Sequence, residues 1–131
     1  MGAFRRRWPG LSYGRGEDWH YVGAGGEPPF QNSWANGGSG ATKMAFRMRE
    51  AGIVDLAGII DGAAATDTVI FTLPAAYWPS ATTPGFAVVF DDGTPNAIYV
   101  KSNGEVKLRN ALAATLLFVS GQIFLTPPNV V

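Results

Sequence analysis

A chain of 131 residues with 47% apolar side chains is long enough for one domain with a real core. Its ten bases and ten acids balance, so no global field steers it toward nucleic acid or an anionic membrane. The absence of cysteine excludes disulfide staples, thiolate metal sites and a cysteine nucleophile together.

The charge is uneven along the chain. Residues 1–16 carry Arg5, Arg6, Arg7 and Arg15 and no acid, a formal charge of +4; the other six bases and ten acids give −4. Glycines and Pro9 break any regular period over residues 1–18, and Phe4, Trp8, Leu11 and Tyr13 are scattered apolar anchors. This stretch is predicted to be an extended arm with too little apolar surface to order itself, held by a partner chain. No apolar run follows the three arginines, so no signal peptide is expected. No segment approaches the roughly 18 apolar residues that span a bilayer, so no membrane insertion is expected.

Residues 19–131 are predicted to be the folded domain. Trp19 to Val22 is a short aromatic run ending in Gly23-Ala24-Gly25-Gly26. Glu27-Pro28-Pro29-Phe30-Gln31-Asn32-Ser33-Trp34 follows. Its prolines donate no backbone hydrogen bonds, which places it at an edge or in a loop, with Phe30 and Trp34 as the residues it can bury in a core or interface.

From Lys43 the period becomes two. Met44, Phe46 and Met48 share one face; Lys43, Arg47 and Arg49 share the other. Ala51-Gly52 makes a turn. The next strand is apolar on both faces, with Val54, Leu56, Gly58 and Ile60 alternating with Ile53, Asp55, Ala57 and Ile59. It is expected to be covered on both sides, and the small pair Ala57-Gly58 suggests another backbone passing close. Residues 68–73 and 86–90 alternate in the same way, separated by Pro74, Pro79 and Pro84.

Around Asn103-Gly104 a three-residue loop, Ser102-Asn103-Gly104, pairs Val100 with Val106 and Ile98 with Leu108, whereas a two-residue loop would set each valine against a lysine. Register follows the buried face, so the longer loop is preferred, with Gly104 left-handed. Leu116 to Leu125 is the last strand material, interrupted by Ser120-Gly121, and Asn110–Leu117 is the only stretch with any helical period. About eight short strands with frequent turns predict an all-β fold, an antiparallel β-sandwich. With only 15% charged residues, two-sided apolar strands such as 53–60 leave apolar surface for closed self-association, with Ile53 and Ile59 as interface candidates.

Catalytic chemistry finds little purchase. His20 is the only histidine and reads as a packing residue inside its aromatic run. Asp91-Asp92-Gly93-Thr94 is one acidic pair, short of the roughly six to eight oxygens calcium takes, and reads as a turn. Paired carboxylates for glycoside cleavage would have to come from Asp55, Asp61, Asp91, Asp92 or Glu105, mostly at strand ends or turns. No catalytic residue, cofactor or metal site is assigned, and no enzymatic activity is expected. Tyr77-Trp78-Pro79 lies between strands, and Tyr77 and Trp78 are the best candidates for an exposed binding patch. Arg5, Arg6 and Arg7 are a weak nucleic-acid signal in a neutral chain. With Trp8 they are expected to dock into an acidic groove on a neighbouring protein.

Several of these segments, in this order, resemble a known family. Trp19-His20-Tyr21-Val22-Gly23, the Glu27–Trp34 segment, Phe46-Arg47 and Gly52-Ile53-Val54-Asp55-Leu56-Ala57-Gly58 are similar to the small β-domain of tailed-phage minor tail and tail-fibre proteins. Thr68-Val69-Ile70-Phe71-Thr72-Leu73-Pro74, with Tyr77 and Pro79, continues the match, as do Gly104-Glu105-Val106 and Ser120-Gly121-Gln122-Ile123-Phe124. The resemblance spans roughly residues 19–125. Ser33 stands where the family usually has glycine, and Leu116-Leu117 where it often has a tryptophan. The resemblance implies a jelly-roll-like sandwich that forms a homotrimer in the virion, assembled in the host cytoplasm. It also implies other virion proteins, and in some members a host cell-surface glycan, as partners. A capsid decoration protein or head fibre is the alternative within that class, and a carbohydrate-binding module the alternative outside it.

Overall fold

The computed structural model describes residues 17–124 except 39, 51, 63–66, 84, 91–92 and 110–115. The N-terminal arm, with Arg5, Arg6, Arg7 and Trp8, therefore lies outside the described residues, as do Asp91, Asp92 and most of the stretch with helical period.

Among the described residues the chain forms nine strands and no α-helix. They are β1 (His20–Tyr21), β2 (Ala35–Asn36), β3 (Ala45–Glu50), β4 (Ile53–Asp61), β5 (Thr68–Thr72), β6 (Phe86–Phe90), β7 (Pro95–Val100), β8 (Glu105–Leu108) and β9 (Leu116–Phe124). All pairings are antiparallel, in the order β1-β3-β4-β9-β6-β7-β8-β5, with β2 added to the end of β4. The expected all-β antiparallel class is therefore what the chain adopts. The strands belong to one hydrogen-bonded sheet, and that sheet is curled.

The curl is visible in the core. Phe46 on β3 and Phe71 on β5 sit near opposite ends of the strand order, yet their rings stack with centroids 6.0 Å apart. The concave face between them is apolar: Val54, Leu56 and Ile60 from β4, Leu117 and Val119 from β9, Ile98 and Val100 from β7, Val106 and Leu108 from β8. Alternation on each strand puts one residue in two onto this face, which is why the period-two pattern reads so clearly. A bulge between Val69 and Phe71 breaks that rule and buries Ile70 and Phe71 together.

The Glu27–Trp34 segment closes the curl. Gly23 N–H donates to the Pro28 carbonyl (2.7 Å), tying the segment to the turn after β1. At its other end Gln31 N–H donates to the Ile70 carbonyl (2.8 Å), the Asn32 amide to that of Val69 (2.8 Å), and the Thr72 hydroxyl to Gln31 Oε1 (2.7 Å). The segment thus straps the free edge of β5 to the β1 end of the sheet. It then turns through Asn32 (φ 54°) and Ser33 (φ 64°), both left-handed, and Trp34 N–H returns to the Gln31 carbonyl. Trp34 is buried in the core and Phe30 packs half-buried against it. The prolines lie in a loop, as expected.

Two glycines are dictated by neighbours. A side chain at Gly58 (φ 142°) would meet the Lys43 carbonyl oxygen at 2.7 Å, so the backbone that Ala57-Gly58 implied is that of residues 43–44 crossing β4. Gly104 (φ 87°) closes the three-residue loop, with Val100 opposite Val106 and Ile98 opposite Leu108 as the register argument required. A side chain there would also collide with the Trp78 indole.

The last strand departs from expectation. β9 runs unbroken from Leu116 to Phe124 along the whole of β4. Ser120-Gly121 does not interrupt it, because Ala57 opposite Ser120 and Leu56 opposite Gly121 continue the ladder without a bulge. A glycine weakens a strand but does not end it when a neighbouring strand, here β4, supplies partners through it.

Candidate functional site

Three surfaces gather the chemistry-bearing residues. The first is a corner where β1 meets the 3-10 turn Ala75–Tyr77. His20 stacks on Phe46 (centroids 5.2 Å), and Tyr77 meets Phe46 edge-on (5.1 Å). His20 is thus a packing residue, as read from sequence, but its ring nitrogens are also spent. Nδ1 lies 2.8 Å from Glu27 Oε2, and Nε2 lies 3.1 Å from the Tyr77 hydroxyl. That hydroxyl donates to Glu17 Oε2 (2.5 Å), which also accepts the Met48 N–H (2.8 Å).

The titration of the corner follows from this wiring. The hydrogen bond to Glu27 raises the His20 pKa against the opposing pull of burial, and the Glu27 and Glu17 charges add to it. Burial pushes the Glu17 carboxyl up. The hydrogen bonds from Tyr77, the Met48 N–H and His20 outweigh that, and its pKa is lowered. Burial and the Glu17 carboxylate push the Tyr77 phenol far up, so it stays a donor. These contacts tie β1 to the strap through Glu27 and to the 3-10 turn through Tyr77, and Glu17 reaches β3 at the Met48 N–H.

Tyr77 is therefore turned into the domain. Trp78 is 41% exposed, and its indole N–H donates to the Leu73 carbonyl (2.6 Å) over Gly104. Glu17, placed by sequence in the arm, is bonded into the domain.

The second surface is the convex face of β4, β9 and β6. Ile59 stands opposite Phe118, and Phe118 opposite Val89, which makes an apolar ridge across three strands. Phe118 is 40% and Val89 41% exposed. Beside the ridge, Ala57 stands opposite Ser120, and Ala87 lies two residues along β6 from Val89. These small residues line a shallow trough of about 480 Å³ with Ile59, Val89 and Phe118, and no charged residue borders it. Ile53 and Ile59 are half-buried on this face. Among the described residues β4 is buried on its concave face and half-buried on the other, so the expected cover on both sides is complete on the concave face. Asp55, on the same face, is held by Arg49 (3.0 Å) and Arg47 (3.4 Å).

The third surface is a cleft beside the strap, lined by Tyr21, Val22, Phe30, Asn36, Thr42 and Lys43 among others. Sequence reasoning missed it, because its walls come from three segments that only the fold brings together. Phe118 and Val89 were missed too, although the signal was available. Phe118 has the opposite parity to the buried Leu117 and Val119, so it had to face outward.

Among the described residues no group of three or more His, Asp and Glu side chains is arranged to hold a metal ion, and no helix is long and apolar enough to cross a membrane. No protein-family model matches this chain, and no curated protein matches it in sequence.

Proposed function

We propose that this chain is a non-enzymatic structural protein of a tailed-bacteriophage virion, a minor tail or tail-fibre component whose β-domain self-associates as a homotrimer. The observation that carries the self-association is the ridge of Ile59, Phe118 and Val89 beside the trough of Ala57, Ser120 and Ala87. An uncharged apolar projection next to a matching hollow fits a second copy of itself. Charge is depleted and aromatic area enriched at the core of protein interfaces. The virion part of the reading rests on the resemblance of residues 19–125 to phage tail β-domains. In this reading the two limbs of the curled sheet make the jelly-roll-like sandwich. Arg5, Arg6, Arg7 and Trp8 dock into an acidic groove of another virion protein.

Light scattering of the full chain at micromolar concentration tests the first part. The expected mass is about three times the 13.9 kDa of one chain, reduced to one by Phe118→Glu. A stable wild-type monomer overturns it. Reversing the charge of Arg5, Arg6 and Arg7 together tests the second. It is expected to abolish incorporation into particles while leaving the thermal midpoint of the domain in place.

A further inference from the structure

We infer that the cleft between β1, β2 and residues 42–43 is a binding site for an acidic pyranose, a uronic acid residue. The inference stands on the cleft: Tyr21, Asn36 and Lys43 line it and not the trough beside the ridge, and Thr42 borders both.

The cleft has a volume of about 710 Å³, inside the range of small-ligand sites. Its walls divide by chemistry. Val22 is buried at its base and Phe30 is half-buried. Tyr21 is 45% exposed beside the buried Val22. An exposed aromatic ring offers a flat apolar face with a polar rim, which suits the C–H face of a pyranose.

The polar groups are donors. Asn36 Oδ1 accepts the Met44 N–H (2.8 Å), which fixes the amide and leaves its NH₂ group for a ligand. Thr42 gives its carbonyl to the Ile59 N–H (2.9 Å) and keeps an exposed hydroxyl. Lys43 is exposed and supplies the only charge among the lining residues. No carboxylate lines the cleft. A ring face, a hydroxyl, an amide donor and one ammonium call for a ligand with an apolar face, several acceptor oxygens and one negative charge. A pyranose uronate has all of these. Single-stranded nucleic acid shares the stacking but needs a run of cations to track its backbone, and here there is one.

The test titrates the ¹⁵N-labelled full chain with sodium D-glucuronate and, separately, with neutral methyl glucoside. Glucuronate is expected to shift the Asn36 side-chain amide and the Tyr21 and Lys43 backbone amides, and to bind more tightly than the glucoside. Tyr21→Ala should weaken glucuronate about tenfold, the loss of one good aromatic contact. Lys43→Gln should erase the preference for glucuronate and leave glucoside binding as it was. Both residues are exposed, so the thermal midpoints should stay in place. If Tyr21→Ala lowers its midpoint, Tyr21→Leu keeps the bulk and removes the ring, and carries the same expectation. Three results would each overturn the proposal: no shifts at these residues, equal affinity for both sugars in the wild-type protein, or displacement of glucuronate by a single-stranded oligonucleotide.

Discussion

At the Tyr77 corner polar groups find their partners inside the chain; on the ridge Phe118 and Val89 stay exposed among the described residues. His20, Glu17, Glu27 and Tyr77 satisfy one another, so the corner is closed and stitches β1 to the rest of the sheet. Ile59, Phe118 and Val89 stand on the same sheet, on the face turned away from the core; Phe118 and Val89 are exposed, and Gly37 lies against the half-buried Ile59. A small domain can afford either device, but they serve different ends. Satisfied polar contacts fix a conformation. Exposed apolar ones create a demand for a second surface.

Two phenylalanines put the largest number on that difference. Phe46 is fully buried, stacked against His20 and Phe71. Phe46→Ala should cost about 3–5 kcal/mol in urea unfolding, the usual range for a large core truncation. Phe118→Ala should cost the dilute monomer no more than about 1–2 kcal/mol, the loss of its cross-strand contacts with Ile59 and Val89. It should instead weaken self-association in light scattering. Equal losses for the two would mean that Phe118 is core, and the ridge reading would fail.

The next effect breaks the corner alone. Tyr77→Phe keeps the ring against Phe46 and removes the hydroxyl that joins Glu17 to His20. Glu17 keeps the Met48 N–H but loses its shortest donor. The expected loss is about 1–3 kcal/mol, as for a hydrogen bond to a charged group, with oligomeric state unchanged. A wild-type midpoint in the variant would show that the hydroxyl contributes nothing.

How much of this was legible in the sequence depended on the range of the interaction. The period-two faces of β3 and β4, the Gly104 loop register and the close approach at Gly58 all follow from neighbours a few residues apart or from the absence of a side chain. The strap was visible as a proline-bearing loop with two aromatics. That it closes a curled sheet was not, because its partner Ile70 lies far along the chain and no local pattern names it. The corner hid for the same reason. Glu17 and Tyr77 are 60 residues apart, and a carboxylate at the end of a glycine-rich arm carries no signal. The Tyr21 cleft needs three segments at once.

Ser33 gives a smaller and more local test, on the strap that joins the corner to the far edge of the sheet. Its φ of 64° places an L-residue where glycine rests without cost. Its side chain is exposed. Ser33→Gly should raise stability by about 0.5–1 kcal/mol, the relief of left-handed strain less the added freedom of the unfolded chain. A loss of stability would mean that the serine side chain holds the turn.

The smallest expected effect separates the two regions by pH. The folded pKa of His20 is raised above its usual 6.5, so its contribution is complete below that value and is lost as pH rises through the folded one. The folded pKa of Glu17 is lowered from its usual 4.5, so its contribution is complete above that value and is lost as pH falls through the folded one. Both are fully present only between those two usual values, in mild acid. The thermal midpoint should therefore be higher near about pH 5.5 than near about pH 8. The gap should correspond to less than about 1 kcal/mol, because a third of the His20 side chain is open to solvent. Glu27→Gln removes the largest cause of the His20 shift and should flatten the slope on the neutral side. The ridge carries no titrating group, so self-association should not follow the same curve. A midpoint that climbs toward neutral pH, or a slope that survives Glu27→Gln, would show that the corner does not set the pH response of the fold.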